Sequence, residues 1–235
     1  MHITLDHVED IAANIKTFWF KPDQKVRYLA GQFIEMTLPH QGMDDRGQKR
    51  WFTLSSSPTE ALISITTKHA VEQVSTFKQT LFGLEPGAKV TISEPMGDFV
   101  LPKDLSIPLL FVAGGIGVTP LRSMTKYLLD TGEKRALHVI YGARSLEEVA
   151  FRDLFEAYGA KFDIVLSEQT SDWSGRTGRL TSELILDIAG NDPAKLLYVS
   201  GPEPMVETLE SGLLKSGVDK NKLVLDFFPN YSAKY

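Results

Sequence analysis

Apolar and polar positions follow two different periods along the chain, and the change of period divides it. Up to about residue 101 the spacing is that of strands. Residues 32–38 alternate, 62–67 are short and β-branched, and Pro39, Gly42, Pro58 and Pro86-Gly87 mark turns. One stretch departs from this: 71–81 places Val74, Phe77 and Leu81 three and four apart, on one helical face. This half is expected to be a small β-barrel capped by that helix.

Beyond Leu101-Pro102 apolar runs alternate with amphipathic segments. Buried strands are expected at 109–113, 136–141, 162–166, 196–199 and 223–225, and helices at 119–130, 146–158, 181–188 and 205–215. Alternating strand and helix predicts a parallel α/β sheet. The expected division is 1–103 and 104–235. A join this short predicts closely packed halves with a cleft between them.

Composition narrows the chemistry. The 235 residues contain no cysteine, which excludes disulfides, thiolate-bound zinc and cysteine-ligated iron–sulfur clusters within the chain. Redox chemistry would reside in an organic cofactor. A net charge of -5 argues against nucleic-acid binding, and no apolar run reaches the length needed to insert in a membrane. The start lacks a basic region and long apolar core, so a cytoplasmic protein is expected. The five histidines show no metal-ligand spacing, and no Gly-x-Ser-x-Gly elbow is present, so no metal site or hydrolytic nucleophile is expected.

Two segments carry chemistry of their own. Ala113-Gly114-Gly115-Ile116-Gly117-Val118-Thr119-Pro120 lies between a buried strand and a helix. Glycines permit a tight turn and close approach, Thr119 is placed to cap the helix, and Pro120 suits its first position. Exposed N–H groups and the helix dipole there favour a phosphate. A ligand-free strand-to-helix turn fits the same residues. In Arg50-Trp51-Phe52-Thr53-Leu54-Ser55-Ser56-Ser57-Pro58, alternation puts Arg50, Phe52 and Leu54 on one face. The guanidinium suits an anionic phosphate, the phenyl ring a planar ligand, and the Thr53 hydroxyl a ring nitrogen.

Arg50-x-Phe52-Thr53, Gly97-Asp98-Phe99, the glycine-rich turn and Gly201-Pro202-Glu203-Pro204-Met205 occur in the order seen in the ferredoxin–NADP reductase superfamily, which the chain resembles over essentially its whole length. Ala30-Gly31-Gln32-Phe33 is similar to another of its strands. The resemblance implies an antiparallel Greek-key barrel holding FAD and a Rossmann-like domain holding NADPH or NADH. Hydride would pass between them, and electrons onward to a separate acceptor such as ferredoxin, flavodoxin or an oxygenase.

By the same resemblance Arg50 contacts flavin phosphate, Phe52 packs on the isoalloxazine, and Thr53 bonds near its N5. Thr66 and Lys68 contribute to the cofactor site, and Ser75 meets the pyrophosphate. Gly114, Gly115, Gly117, Thr119, Gly201 and Met205 would line the nicotinamide cofactor, with Ser200 at the reacting carbon. Phe228, in Asp226-Phe227-Phe228-Pro229-Asn230-Tyr231, would lie beside the flavin, where Tyr235 competes with it. Thr53, Ser200 and Phe228 are thus the expected catalytic positions. Arg144 and Arg176, with Arg179 nearby, would meet the adenosine end, where guanidiniums suit a 2′-phosphate.

Phe52 stands for the family's tyrosine, Glu72 for a glycine before the serine, and Ser200 for a cysteine. Three alternatives remain: a flavin reductase using free flavin, an electron-transfer subunit without turnover of its own, and a non-catalytic nucleotide-binding module.

Overall fold

A computed structural model describes residues 1–43, 47–69, 75–169, 171–190 and 192–227. The first half is built from β1 (His2–Ala12), β2 (Ile15–Pro22), β3 (Phe33–Thr37), β4 (Lys49–Thr53), β5 (Ile63–Lys68), helix α1 (Thr76–Phe82) and β6 (Lys89–Ile92). The antiparallel order is β4-β3-β6-β1-β2-β5. Just past β4 the Ser55 N–H donates to the Ser64 carbonyl at 2.9 Å and closes the barrel. Inward positions of each strand, among them Leu5, Phe18, Ile34, Met36, Phe52 and Ile65, form one core. Phe77 and Leu81 of α1 complete it from one end, as the three-and-four spacing predicts. The helix begins at Thr76; Val71, Glu72 and Val74 lie outside the described residues.

The second half contains β7 (Leu109–Gly114), α2 (Val118–Thr131), β8 (Leu137–Ala143), α3 (Arg152–Tyr158), β9 (Lys161–Leu166), β10 (Arg176–Thr177), α4 (Ser182–Ala189), β11 (Leu196–Ser200), α5 (Glu203–Lys215) and β12 (Leu223–Asp226). The sheet is parallel throughout, in the order β10-β9-β8-β7-β11-β12. Phe111, Val139 and Tyr141 pack against α2 and α3, whereas Leu110, Val112 and Ile140 pack against α4 and α5. Burial on both faces explains why these strands read as continuous apolar runs.

Two expectations are corrected. The 146–158 helix is a 3-10 turn (Leu146–Glu148) followed by α3, interrupted at Phe151, whose φ is 62°. The interruption carries contacts to the barrel: Ala13 N–H donates to the Glu147 carbonyl at 2.6 Å, and Lys68 Nζ to Glu148 at 2.6 Å. Thr119 does not cap α2. A 3-10 turn (Gly115–Gly117) precedes the helix, and the Thr119 hydroxyl donates to the Ile116 carbonyl at 3.1 Å.

The halves share a core. Ile15, Ala30 and Phe99 from the barrel side join the cluster on the α2 face, and the Tyr198 hydroxyl donates to the Val100 carbonyl at 2.6 Å. No helix among the described residues is long and apolar enough to cross a membrane.

Candidate functional site

β7 lies between β8, to which the chain proceeds, and β11, to which it returns, so the strand order reverses beside β7. Ligands of open α/β sheets bind outside the carboxyl ends of strands at such a switch point. Here those ends are pressed together. A Cβ on Gly117 would lie 2.3 Å from the Ser200 carbonyl oxygen, and one on Gly114 would lie 2.3 Å from Met205 Sδ. A Cβ on Gly201 would meet Met205 Cε at 2.4 Å. These glycines and Met205 therefore join β7 to β11. Gly115 differs: its φ is +52° and its missing Cβ points into open space. The donor set suits a dinucleotide, with backbone facing open space beside a helix start.

Ser200, buried at the end of β11, donates from Oγ to Asp226 Oδ2 at 3.0 Å across the parallel pairing of β11 with β12. Burial pushes the Asp226 carboxyl from 3.8 up to about 6; the Ser200 hydrogen bond opposes the rise and the Asp98 charge adds to it. A carboxyl raised in the fold contributes stability below pH 4 that is lost as pH rises through about 6. Asp226→Asn is thus expected to match the native protein at pH 4 and exceed it by about 2 kcal/mol at pH 8 in urea unfolding. An equal difference at both pH values would show that the carboxyl is not desolvated. Asp226 was given no role from sequence; the available signal was an acid directly after the apolar run of the last strand.

On the barrel, β4 and α1 bring Arg50, Phe52 and Ser75 to one end. Arg50 is buried, donates from Nη1 to the carbonyls of Gly47 and Lys49 at 2.9 and 2.7 Å, and lies 5.0 Å from the centre of the Phe77 ring. Ser75 caps α1, its Oγ accepting from the Lys78 N–H at 3.3 Å. His40, to which the sequence pattern assigns no ligand role, joins them: Nε2 is 3.1 Å from the Thr76 hydroxyl and the ring meets Phe77 edge-on. The Thr53 hydroxyl has no hydrogen-bond partner among the described residues. A buried guanidinium beside a capped helix start and an unpartnered hydroxyl fit a phosphorylated, hydrogen-bonding ring system.

Three of the expected barrel positions are engaged by the protein itself. Phe52 is only 7% exposed and its ring packs with Phe77 at 6.0 Å in the barrel core, so a ligand stacking on it must displace present neighbours. Thr66 is spent on a buried hydroxyl chain, 2.7 Å from Thr17 Oγ1 and 2.8 Å from Ser55 Oγ. Lys68 holds Glu148 of the second half at 2.6 Å. Phe228 and Tyr235 lie outside the described residues.

Residues 111–211 match the family model described as "Oxidoreductase NAD-binding domain". Ferredoxin–NADP reductase B of Sorangium cellulosum is 35% identical over 191 residues, covering 76% of each protein. The chain belongs to the ferredoxin–NADP reductase family. Membership makes it an NAD(P)H-dependent flavin oxidoreductase. The glycine betaine monooxygenase reductase subunit of Chromohalobacter salexigens is 28% identical over 88% of this chain, but the chain spans only 58% of that relative. The fold agrees with the FAD/NAD-binding domain of a Vibrio cholerae nitric oxide dioxygenase (TM-score 0.81, 21% identity, 97% and 98% covered). It agrees nearly as well with a Neisseria gonorrhoeae ferredoxin–NADP+ reductase (TM-score 0.79, 18% identity, 96% and 97% covered).

Within this family's frame, the arginines expected at the adenosine end are only partly available. Arg144 Nε donates to Glu168 at 2.6 Å, and Arg176 Nη1 to Asp187 at 2.9 Å. Arg179 is exposed and has no side-chain partner among the described residues. The β8 and β9 ends that carry the first pair are joined through Glu168 N–H to the Arg144 carbonyl at 3.1 Å.

Proposed function

We propose that the chain takes hydride from NADPH or NADH, passes electrons through FAD held on the barrel, and delivers them to a separate acceptor of the ferredoxin, flavodoxin or oxygenase kind. The observation that carries this is the switch-point junction, where Gly114, Gly117 and Gly201 clamp two strand ends, Gly117 against Ser200, and leave Gly115 facing open space. Relatives named as a ferredoxin–NADP reductase and a monooxygenase reductase subunit support the acceptor class. The division at 103/104 and a cytoplasmic setting, where reduced nicotinamide dinucleotides are supplied, belong to the same proposal.

In this reading Arg50 and Ser75 hold the pyrophosphate end of FAD, and the Thr53 hydroxyl hydrogen-bonds near its N5. FAD supplies two-electron acceptance and single-electron release. The turn Gly115–Gly117 and Thr119 hold the pyrophosphate of the nicotinamide cofactor, Met205 shapes the floor, and Ser200 faces the nicotinamide carbon. The buried Phe52 ring favours one second reading, a reductase that uses free flavin. Steady-state oxidation of NADPH or NADH with ferricyanide tests the proposal: turnover by FAD-reconstituted protein is expected, and none with either donor would overturn it. Retention of FAD through gel filtration separates the bound-flavin reading from the free-flavin one.

Glu168 sets the donor preference by holding Arg144. Glu168→Gln frees the guanidinium for a 2′-phosphate, which it would bind as a charge-assisted pair. Because the native pair is exposed, the expected gain in kcat/KM for NADPH over NADH is about three- to tenfold. An unchanged ratio would remove Arg144 from the adenosine site.

A further inference from the structure

One side chain ties the helix of the nicotinamide half to the barrel segment that follows Thr53. Arg122, on α2, donates from both terminal nitrogens to the Glu60 carboxylate, with Nη2 to Oε1 at 3.0 Å, and from Nη1 to the Ser55 carbonyl at 3.0 Å. Both partners of the ion pair are largely buried, at 11% and 16% exposure. Glu60 is itself held by the Ser57 N–H at 2.6 Å. The guanidinium lies 5.5 Å from the Trp19 ring centre and 5.7 Å from that of Phe151, the residue with positive φ. The next residue repeats the link: Ser123 Oγ donates to the Ser56 carbonyl at 2.5 Å. About two turns further along α2, Asp130 accepts from Thr59 Oγ1 at 2.5 Å.

These contacts run from a helix whose N-cap, Gly117, abuts Ser200 to residues 55–60, which begin two positions after Thr53, proposed to bond flavin N5. We infer that Arg122 is a positioning residue for hydride transfer, fixing the separation of the nicotinamide and flavin sites through Glu60 and Ser55. The inference rests on the proposed function but concerns a residue outside the positions assigned to either cofactor. Hydride transfer is steeply sensitive to geometry, and a misplacement of about 1 Å costs about 100-fold. A planar fork bonded to a carboxylate and a carbonyl fixes both direction and distance, which a lysine cannot reproduce.

The test pairs a rate with a distance. In single-turnover reduction by the C4-deuterated donor, Arg122→Ala and Arg122→Lys are each expected to slow hydride transfer about tenfold or more. The primary isotope effect should change, while donor Kd and bound FAD stay near native values. A merely structural brace would lower Tm and leave the rate constant and isotope effect unchanged where both proteins are folded, which would overturn the inference. The chain has no cysteine, so Lys89→Cys with Glu207→Cys gives two spin labels, one on each half. Arg122→Ala is expected to broaden their distance distribution, and an unchanged distribution also overturns the inference. If native protein fails to reduce flavin, the proposed function fails, and the distance measurement still decides whether Arg122 fixes the two halves.

Discussion

Gly117→Ala is expected to lower kcat/KM for the nicotinamide donor by about 100-fold or more while leaving FAD binding intact. The added Cβ would lie 2.3 Å from the Ser200 carbonyl oxygen, 2.5 Å from its carbon and 2.6 Å from Gly201 Cα. All three are backbone atoms at the end of a strand paired on both sides, so no rotamer change relieves the contact. The β7 turn and the β11 end must separate by about an ångström, moving Ser200 away from the proposed nicotinamide position; overpacking of this kind costs about 1–3 kcal/mol. Gly132→Ala is the control. At the far end of α2, it has open space for its Cβ and an αL φ of +71°, and should cost only about 1 kcal/mol of stability. If both variants lose activity equally, the junction is not what shapes the site.

Gly31→Ala is expected to be the most destabilising single change in the barrel. Its φ of +101° is a glycine conformation, and the new Cβ would sit 2.0 Å from the Phe99 carbonyl oxygen and 2.5 Å from Met124 Cε. Phe99 packs edge-on to Tyr198, and Met124 is buried on α2, so the clash falls where both halves share their core. Strain and overpacking together amount to about 3–5 kcal/mol, or about 10 °C in Tm for a chain of this size. Gly87→Ala has a similar φ of +94° and nothing within 4 Å, so it isolates the backbone strain. Equal losses in Tm for the two would mean that the Phe99 contact has no energetic weight.

The α/β half was legible because β7, β8 and β11 are buried on both faces and the helices on one, so run length and period point to the same elements, whereas the exposed two-residue β10 carries no such signal. The barrel was less so. β1 and β2 contain exposed and half-buried residues such as His7, Glu9 and Trp19, which blur the alternation. Helix 146–158 was overread because periodicity carries no information about Ala13 and Lys68, the distant partners of the interrupted turn. The glycine-rich turn lies where the sequence places it, and both a tight turn and ligand approach are legible there, but not the packing of one strand end on another. Contact with Ser200 and Met205 accounts for Gly114 and Gly117, and such a requirement appears only when the strand order is known. Arg144 and Arg176 looked available because their carboxylate partners, Glu168 and Asp187, are 24 and 11 residues away. Arg50 and Ser75 do reach one end of the barrel, since β4 and α1 pack through Phe52 and Phe77.

The central claim is hydride transfer from a nicotinamide dinucleotide to flavin on this chain, and anaerobic mixing tests it directly. FAD-reconstituted protein is mixed with NADPH, and separately with NADH, while the visible flavin absorbance is followed in a stopped-flow cell. Bleaching by at least one donor, at a rate that saturates with donor concentration, is the predicted result. Persistent oxidised flavin absorbance with both donors, in protein shown to hold FAD, would contradict it.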